Sequence, residues 1–294
     1  MREFDFTQIK NPEYFKDGRM DAHSDHTCYK NWEEAEEKKS GYRYSLNGLW
    51  KFHYAKNYES SIKGFEKEEY SCIDWDDIHV PAHIQMEGYD NPQYANIQYP
   101  WEGHEEIHPG EIPEHFNPVA SYVKYFRLPK ELEGKRIFIS FQGAESGLVL
   151  WINGKFVGYS EDSFTPSEFE LTEYLKAGEN KLAVQVFKWT AGSWCEDQDF
   201  FRFSGIYRDV FLYTVPDVHV YDLHIQAVPD ESLQKAELKT ELKAWGNGKA
   251  KITLAIDDET ILETEELIGD VTSVKNQFRW KIEEPELWSA EEPK

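Results

Sequence analysis

The chain has 294 residues, 40% of them hydrophobic and 15% aromatic, with 32 basic against 55 acidic side chains and a formal net charge of -23. That length suits roughly two ordinary domains with their own cores, and so aromatic a composition excludes a disordered acidic chain. The charge excludes nucleic acid and anionic lipid as partners over most of the surface, whereas neutral ligands are indifferent to it.

The first residues, Met1-Arg-Glu-Phe-Asp-Phe6, place acids where a signal peptide carries its apolar run, and no run of about eighteen apolar residues follows. Neither export by that route nor a membrane span is expected. Cys28, Cys72 and Cys195 are odd in number and in no CxxC or metal-ligand spacing. They read as isolated thiols of a reducing compartment, which predicts a cytoplasmic location.

Residues 1–44 are irregular, with Asn11-Pro12, Asp17-Gly18 and a charged run from Glu33 to Lys39, and are expected to form an arm across their own domain or toward a neighbouring subunit. Strand patterns begin at Ser45 to Tyr54, where Trp50, Phe52 and Tyr54 alternate after a turn at Asn47-Gly48. Ser121 to Leu128, Arg136 to Phe141, Leu148 to Ile152, Phe156 to Ser160, Lys181 to Lys188 and Val210 to Val215 continue the series. Asn153-Gly154, inside Trp151 to Phe156, has the composition of a type I′ hairpin turn. Many short strands with polar turns predict a jelly-roll β-sandwich over 45–215.

Beyond Pro216, runs at Val218 to Ala227, Lys235 to Ala244, Ala250 to Ile256, Ile261 to Glu266 and Val274 to Ile282 have the spacing of an immunoglobulin-like sandwich over 216–294. Five strands are too few to close such a fold. The whole is therefore expected to be all-β, its second sandwich incomplete, and the sequence a piece of a larger assembly.

The segment from Glu196 to Val210 gathers the acids Glu196, Asp197 and Asp199, the arginines Arg202 and Arg208 and the rings of Phe200, Phe201 and Phe203, close after Trp189 and Trp194. Two readings stand: a sugar site in which pyranose rings stack on the aromatics, or sandwich core beside a solvated acidic turn. Asn91 to Pro100 is a second polar and aromatic loop, where Asn96 offers a donor and an acceptor to a hydroxyl or satisfies its own backbone in an Asx-turn.

Asp197 and Asp199 make a poor glycosidase pair. Retention needs carboxyls about 5 to 5.5 Å apart and inversion about 6.5 to 9.5 Å, on opposite sides of the bond, whereas two acids on one strand lie side by side. His104-Glu-Glu-Ile-His108 matches the zincin pattern HExxH, but Pro100, Pro109-Gly110 and Pro113 forbid the helix that would turn both imidazoles to one metal. A loop histidine pair is the expectation there, and no other nucleophile or nucleotide motif is present.

Four segments together resemble the amino-terminal region of the glycoside hydrolase family 2 β-galactosidases. They are Ser45-Leu-Asn-Gly-Leu-Trp-Lys-Phe52; Val80 to Asp90 with Tyr94-Ala-Asn-Ile-Gln-Tyr-Pro100; Trp151-Ile-Asn-Gly-Lys-Phe-Val-Gly-Tyr159 with Pro166-Ser-Glu-Phe169; and Glu196 to Val210. Glu286-Leu-Trp-Ser289 is similar to a late turn of that family's first immunoglobulin-like domain. The resemblance implies a galactose-binding-like jelly roll followed by that sandwich, in a cytoplasmic, homo-oligomeric hydrolase of terminal β-galactosides such as lactose.

It further implies that Asn96 hydrogen-bonds a galactosyl hydroxyl and that Asp199 contacts the 6-hydroxyl and helps bind a sodium ion, both within an active site completed by a (β/α)8 barrel. The family's nucleophile and acid/base glutamates belong to that barrel, so no catalytic residue is expected in this chain. A family magnesium site is in doubt here because Gln8 and Ala191 stand where acids would. Other readings are a stand-alone carbohydrate-binding or subunit-interface module, and a different activity of the same family such as β-glucuronidase or β-mannosidase.

Overall fold

The computed structural model describes residues 3–196, 199–256, 259–268 and 274–293. They are almost entirely strands and turns, and the α-helices among them are the short Trp32–Glu36 and Ser193–Glu196. The chain divides into two compact units, Met1–Ala22 with Gly41–Thr214 and His23–Ser40 with Val215–Lys294.

The first unit is built on a seven-stranded sheet in the order Lys16–Asp17, Lys155–Glu161, Gly147–Ile152, Glu179–Phe187, Val119–Arg127, Gly48–Ala55 and Asp76–Val80. A four-stranded sheet, Ser167–Glu170, Phe138–Phe141, Val210–Tyr213 and Arg43–Ser45, packs on one of its faces. All neighbours within both sheets are antiparallel.

Gly147–Ile152 shows why the central strands read as unbroken apolar runs. Leu148, Leu150 and Ile152 join the cluster between the sheets with Ile139, Phe141, Phe169 and Leu212. Val149 and Trp151, pointing the other way by the period of two, join a second cluster with Ile9, Phe65, Trp75 and Phe187. A strand covered on both faces cannot alternate polar with apolar. At the hairpin that follows, Asn153 and Gly154 take φ of 51° and 78°, the left-handed pair that a type I′ turn requires. Further along, a Cβ on Gly158 would lie 2.2 Å from the Asp17 carbonyl oxygen, so only glycine lets the edge strand Lys16–Asp17 approach.

Residues 1–44 do not behave as one arm. Phe4 and Phe6 lie 5.9 and 5.7 Å from the Phe187 ring and Ile9 is fully buried, so the first stretch covers the outer face of the large sheet. Residues 23–40 instead belong to the second unit. There the Ser24 amide donates to Asp222 Oδ1 at 3.0 Å, the Leu223 amide donates to Ser24 Oγ at 2.8 Å and the His26 ring contacts the Val220 carbonyl at 2.8 Å. These bonds give an edge strand partners that its sheet does not supply.

In that second unit His219–Pro229, Lys235–Trp245 and Val274–Glu283 form a three-stranded sheet, and Gly248–Ile256 pairs with Glu259–Ile268. The five strands expected beyond Pro216 are thus present. Along Lys235–Trp245 the buried positions are Ala236, Thr240, Leu242 and Ala244, one face of a strand.

Candidate functional site

The two residues singled out in the sequence flank the two strands of a small ladder in the first unit. Gln93–Ala95 pairs antiparallel with Phe200–Arg202, Phe200 opposite Ala95. Asn96 follows the first strand directly and Asp199 precedes the second, so both stand at the same end of the ladder, and both are exposed. Asp199 adopts φ of 48°, a left-handed conformation that aspartate tolerates better than most residues.

Tyr94 holds the carboxylate. Its hydroxyl donates to Asp199 Oδ1 at 2.7 Å, and that hydrogen bond pushes the phenol above its ordinary pKa. Nothing in the sequence marked this contact, which joins residues 105 positions apart. The loop is closed by the Gln93 side-chain amide, which donates to the Pro100 carbonyl at 3.1 Å, and by the Tyr99 hydroxyl, which donates to the Trp194 carbonyl at 3.1 Å.

Around the pair lie large apolar side chains open to solvent: Tyr94 is 56% exposed, Ile97 91%, Phe200 39% and Phe201 57%. An amide that both gives and receives, beside a carboxylate that only receives, can bind vicinal hydroxyls. The exposed rings supply apolar faces next to them.

The other acids and rings of the segment are employed elsewhere. Glu196 accepts from the Ser163 hydroxyl at 2.9 Å, Arg208 donates to the Phe164 carbonyl at 2.8 Å, and Arg202 is 1% exposed. Asp197 lies outside the described residues. Trp189, read in the sequence as a ring-stacking candidate, is 2% exposed, because it ends a central strand beneath Trp101 and Phe116.

His104 and Glu105 of the HExxH stretch lie in a turn and a bend and residues 106–108 have no regular structure, and Glu105 spends its carboxylate on the backbone, accepting from the Glu114 amide at 2.8 Å and the His115 amide at 3.1 Å. It clamps a loop. Among the described residues no three His, Cys, Asp or Glu side chains gather as a metal site.

Gln8 and Ala191 do come near one another, since the Ala191 amide donates to the Ile9 carbonyl at 2.9 Å. Neither carries a carboxylate, and the Gln8 amide oxygen accepts from the Asp5 amide to cap its own helical turn. The donor set there does not fit a magnesium ion. The buried carboxyl nearby, Glu161, accepts from the Tyr159 hydroxyl at 2.6 Å and the Gly192 amide at 3.2 Å. Burial pushes it up to about 7 despite those bonds. Asp199, by contrast, offers an open carboxylate that fits one corner of a sodium ion's oxygen shell.

Comparison with known proteins supports the family resemblance. The profile described as glycosyl hydrolases family 2, sugar binding domain, matches residues 44–216. A β-galactosidase of Halalkalibacterium halodurans is 48% identical over 97% of the chain, which spans 28% of that relative. A β-galactosidase large subunit of Lactobacillus helveticus is 37% identical over 97% of the chain, which spans 47% of it. The crystal structure of a Bacteroides uniformis β-glucuronidase shares the fold, with a TM-score of 0.61 over 85% of this chain and 29% of its own, at 21% identity.

Proposed function

The chain belongs to glycosyl hydrolases family 2 through its sugar-binding domain, and from that membership we propose that it is the amino-terminal, sugar-positioning part of a retaining β-galactosidase. The observation that carries the reading is that Asn96 and Asp199 are exposed at the same end of that ladder, with Tyr94 holding the carboxylate. In this reading Asn96 and Asp199 hydrogen-bond hydroxyls of a terminal β-galactosyl residue and fix the ring before chemistry, so that binding energy is realised as orientation. A sodium ion, when bound, supplies a positive centre for a sugar hydroxyl, and Asp199 is this chain's ligand to it.

Hydrolysis itself requires two further carboxyls on a barrel contributed by the rest of the protein or by a complementing subunit. The exposed rings of Phe200 and Phe201 and the side chain of Ile97 fit a surface that such a barrel covers. The thiols of Cys28, Cys72 and Cys195 fit a cytoplasmic setting.

The test is complementation. The chain alone should leave a chromogenic β-galactoside intact, and adding the barrel-bearing remainder of a relative should produce turnover. Asp199→Ala should lower kcat/KM of the complemented enzyme by at least about 100-fold, the loss of a charged hydrogen bond and an ion ligand together. Hydrolysis by the chain alone, or undiminished complementation by the variant, overturns the proposal.

A further inference from the structure

On either side of the segment that carries Asn96, residues 90–93 and 100–116 enclose a cavity of about 420 Å³ with Lys188 and Trp189, which follow strand Glu179–Phe187, and neither Asn96 nor Asp199 lines it. Its size falls within the range of small-molecule sites. The polar part is an ion pair withdrawn from solvent: Lys188 Nζ donates to Asp90 Oδ2 at 2.6 Å, and the two side chains are 2% and 3% exposed. Gln85 also donates to Oδ2, at 2.9 Å, so both described bonds fall on one oxygen and leave Oδ1 as an acceptor.

The apolar part is aromatic. Trp101 and Trp189 cross edge to face at 5.9 Å, and Phe116, 44% exposed, leans on Trp189 at the mouth. The indole N–H groups of Trp101 and Trp189 are buried and find no hydrogen-bond partner among the described residues. Those donors are closed off from the cavity, and what the site offers a ligand is the half-used carboxylate of the ion pair beside the aromatic faces.

The walls are set in advance. Glu105 ties the loop to the backbone at 114 and 115, and the Trp194 indole donates to the Glu111 carbonyl at 2.6 Å. A preformed site gives up little ordering entropy on binding.

A neutral pyranose matches this combination. It has a C–H face for aromatic walls and hydroxyls that both donate and accept, and no charge to upset a locally neutral pair within a chain of net charge -23. We propose that the cavity is a second carbohydrate site that takes one neutral hexopyranose, with Asp90 Oδ1 and Lys188 Nζ bonding its hydroxyls and Phe116 packing on the ring. It is lined by residues of this chain that do not include Asn96 or Asp199, and so goes beyond the function proposed above.

Titrating the whole chain with galactose or glucose, followed by calorimetry and by the tryptophan indole N–H resonances, should show saturation and displacement of two buried indole signals. Phe116→Ala, at a half-open position that leaves the core intact, should weaken binding about tenfold, whereas Asp199→Ala should leave it unchanged. Galacturonate, carrying a carboxylate, should bind more weakly than galactose. Lack of saturation by either neutral sugar in a folded chain overturns the site, as does tighter binding of the uronate. Binding that Asp199→Ala abolishes and Phe116→Ala spares would place the sugar on the exposed pair, sinking the second site while leaving the proposed function standing.

Discussion

Asp90, on the cavity wall, and Asp199, on the open rim, both take left-handed backbone, with φ of 55° and 48°, yet their carboxylates are treated oppositely. The Asp90 side chain is 3% exposed and saturates one oxygen with Lys188 and Gln85. Asp199 stands in solvent and is held by one phenol. The same contrast runs through the neighbouring apolar residues, since Trp101 and Trp189 are sealed while Tyr94, Ile97 and Phe201 are bare. A fold that buries one set so thoroughly and leaves the other open has no internal use for the second, and large exposed apolar groups around a polar pair mark a surface that something else completes.

That comparison breaks first at Lys188. Lys188→Met strips the partner from a buried carboxylate, and such loss costs about 3–5 kcal/mol. Urea denaturation of the chain should show a drop of that order, and a change under about 1 kcal/mol would mean that the wall is far wetter than its burial indicates.

A second lever is pH, acting at Glu161 on the buried side of the comparison. The folded carboxyl keeps its proton to about 7, whereas an unfolded one releases it near 4.5, so the native state holds the extra proton between those values. The contribution of Glu161 to stability should be full below about pH 4.5 and be lost as pH rises through about 7, an effect of about 3 kcal/mol. Glu161→Gln should flatten the slope of thermal midpoint against pH, and an unchanged slope would remove Glu161 as its source.

The smallest effect on stability belongs to the rim. Phe201→Ser should leave the unfolding free energy within about 0.5 kcal/mol, and in complementation it should weaken association with the barrel while sparing the fold. A large destabilisation would show that the ring is packed after all.

Several local features were legible in the residues alone. Asn153-Gly154 announced its hairpin, because left-handed backbone at two successive positions is written in the residue types themselves. The proline-bracketed HExxH stretch could be refused a helix for an equally local reason. The strand runs from Ser121 onward appear within a few residues of their expected ends, since their apolar content survives any choice of partner. The strand pair Gln93–Ala95 with Phe200–Arg202 was not visible, being three residues long on each side and stabilised by its surroundings. Nor could the sequence say that residues 1–44 would divide between two units, which was decided by the hydrophobic face of one sheet and the open edge of another.

What the amino-acid order determined by itself was backbone class: an all-β chain and its turns. Only tertiary structure decided which aspartate would be buried and which left open. The bonds responsible join Lys188 to Asp90 across 98 residues and Tyr94 to Asp199 across 105. Turn propensity acts through neighbours in the chain, whereas burial and orientation of a charge depend on partners that meet only when the sheets close.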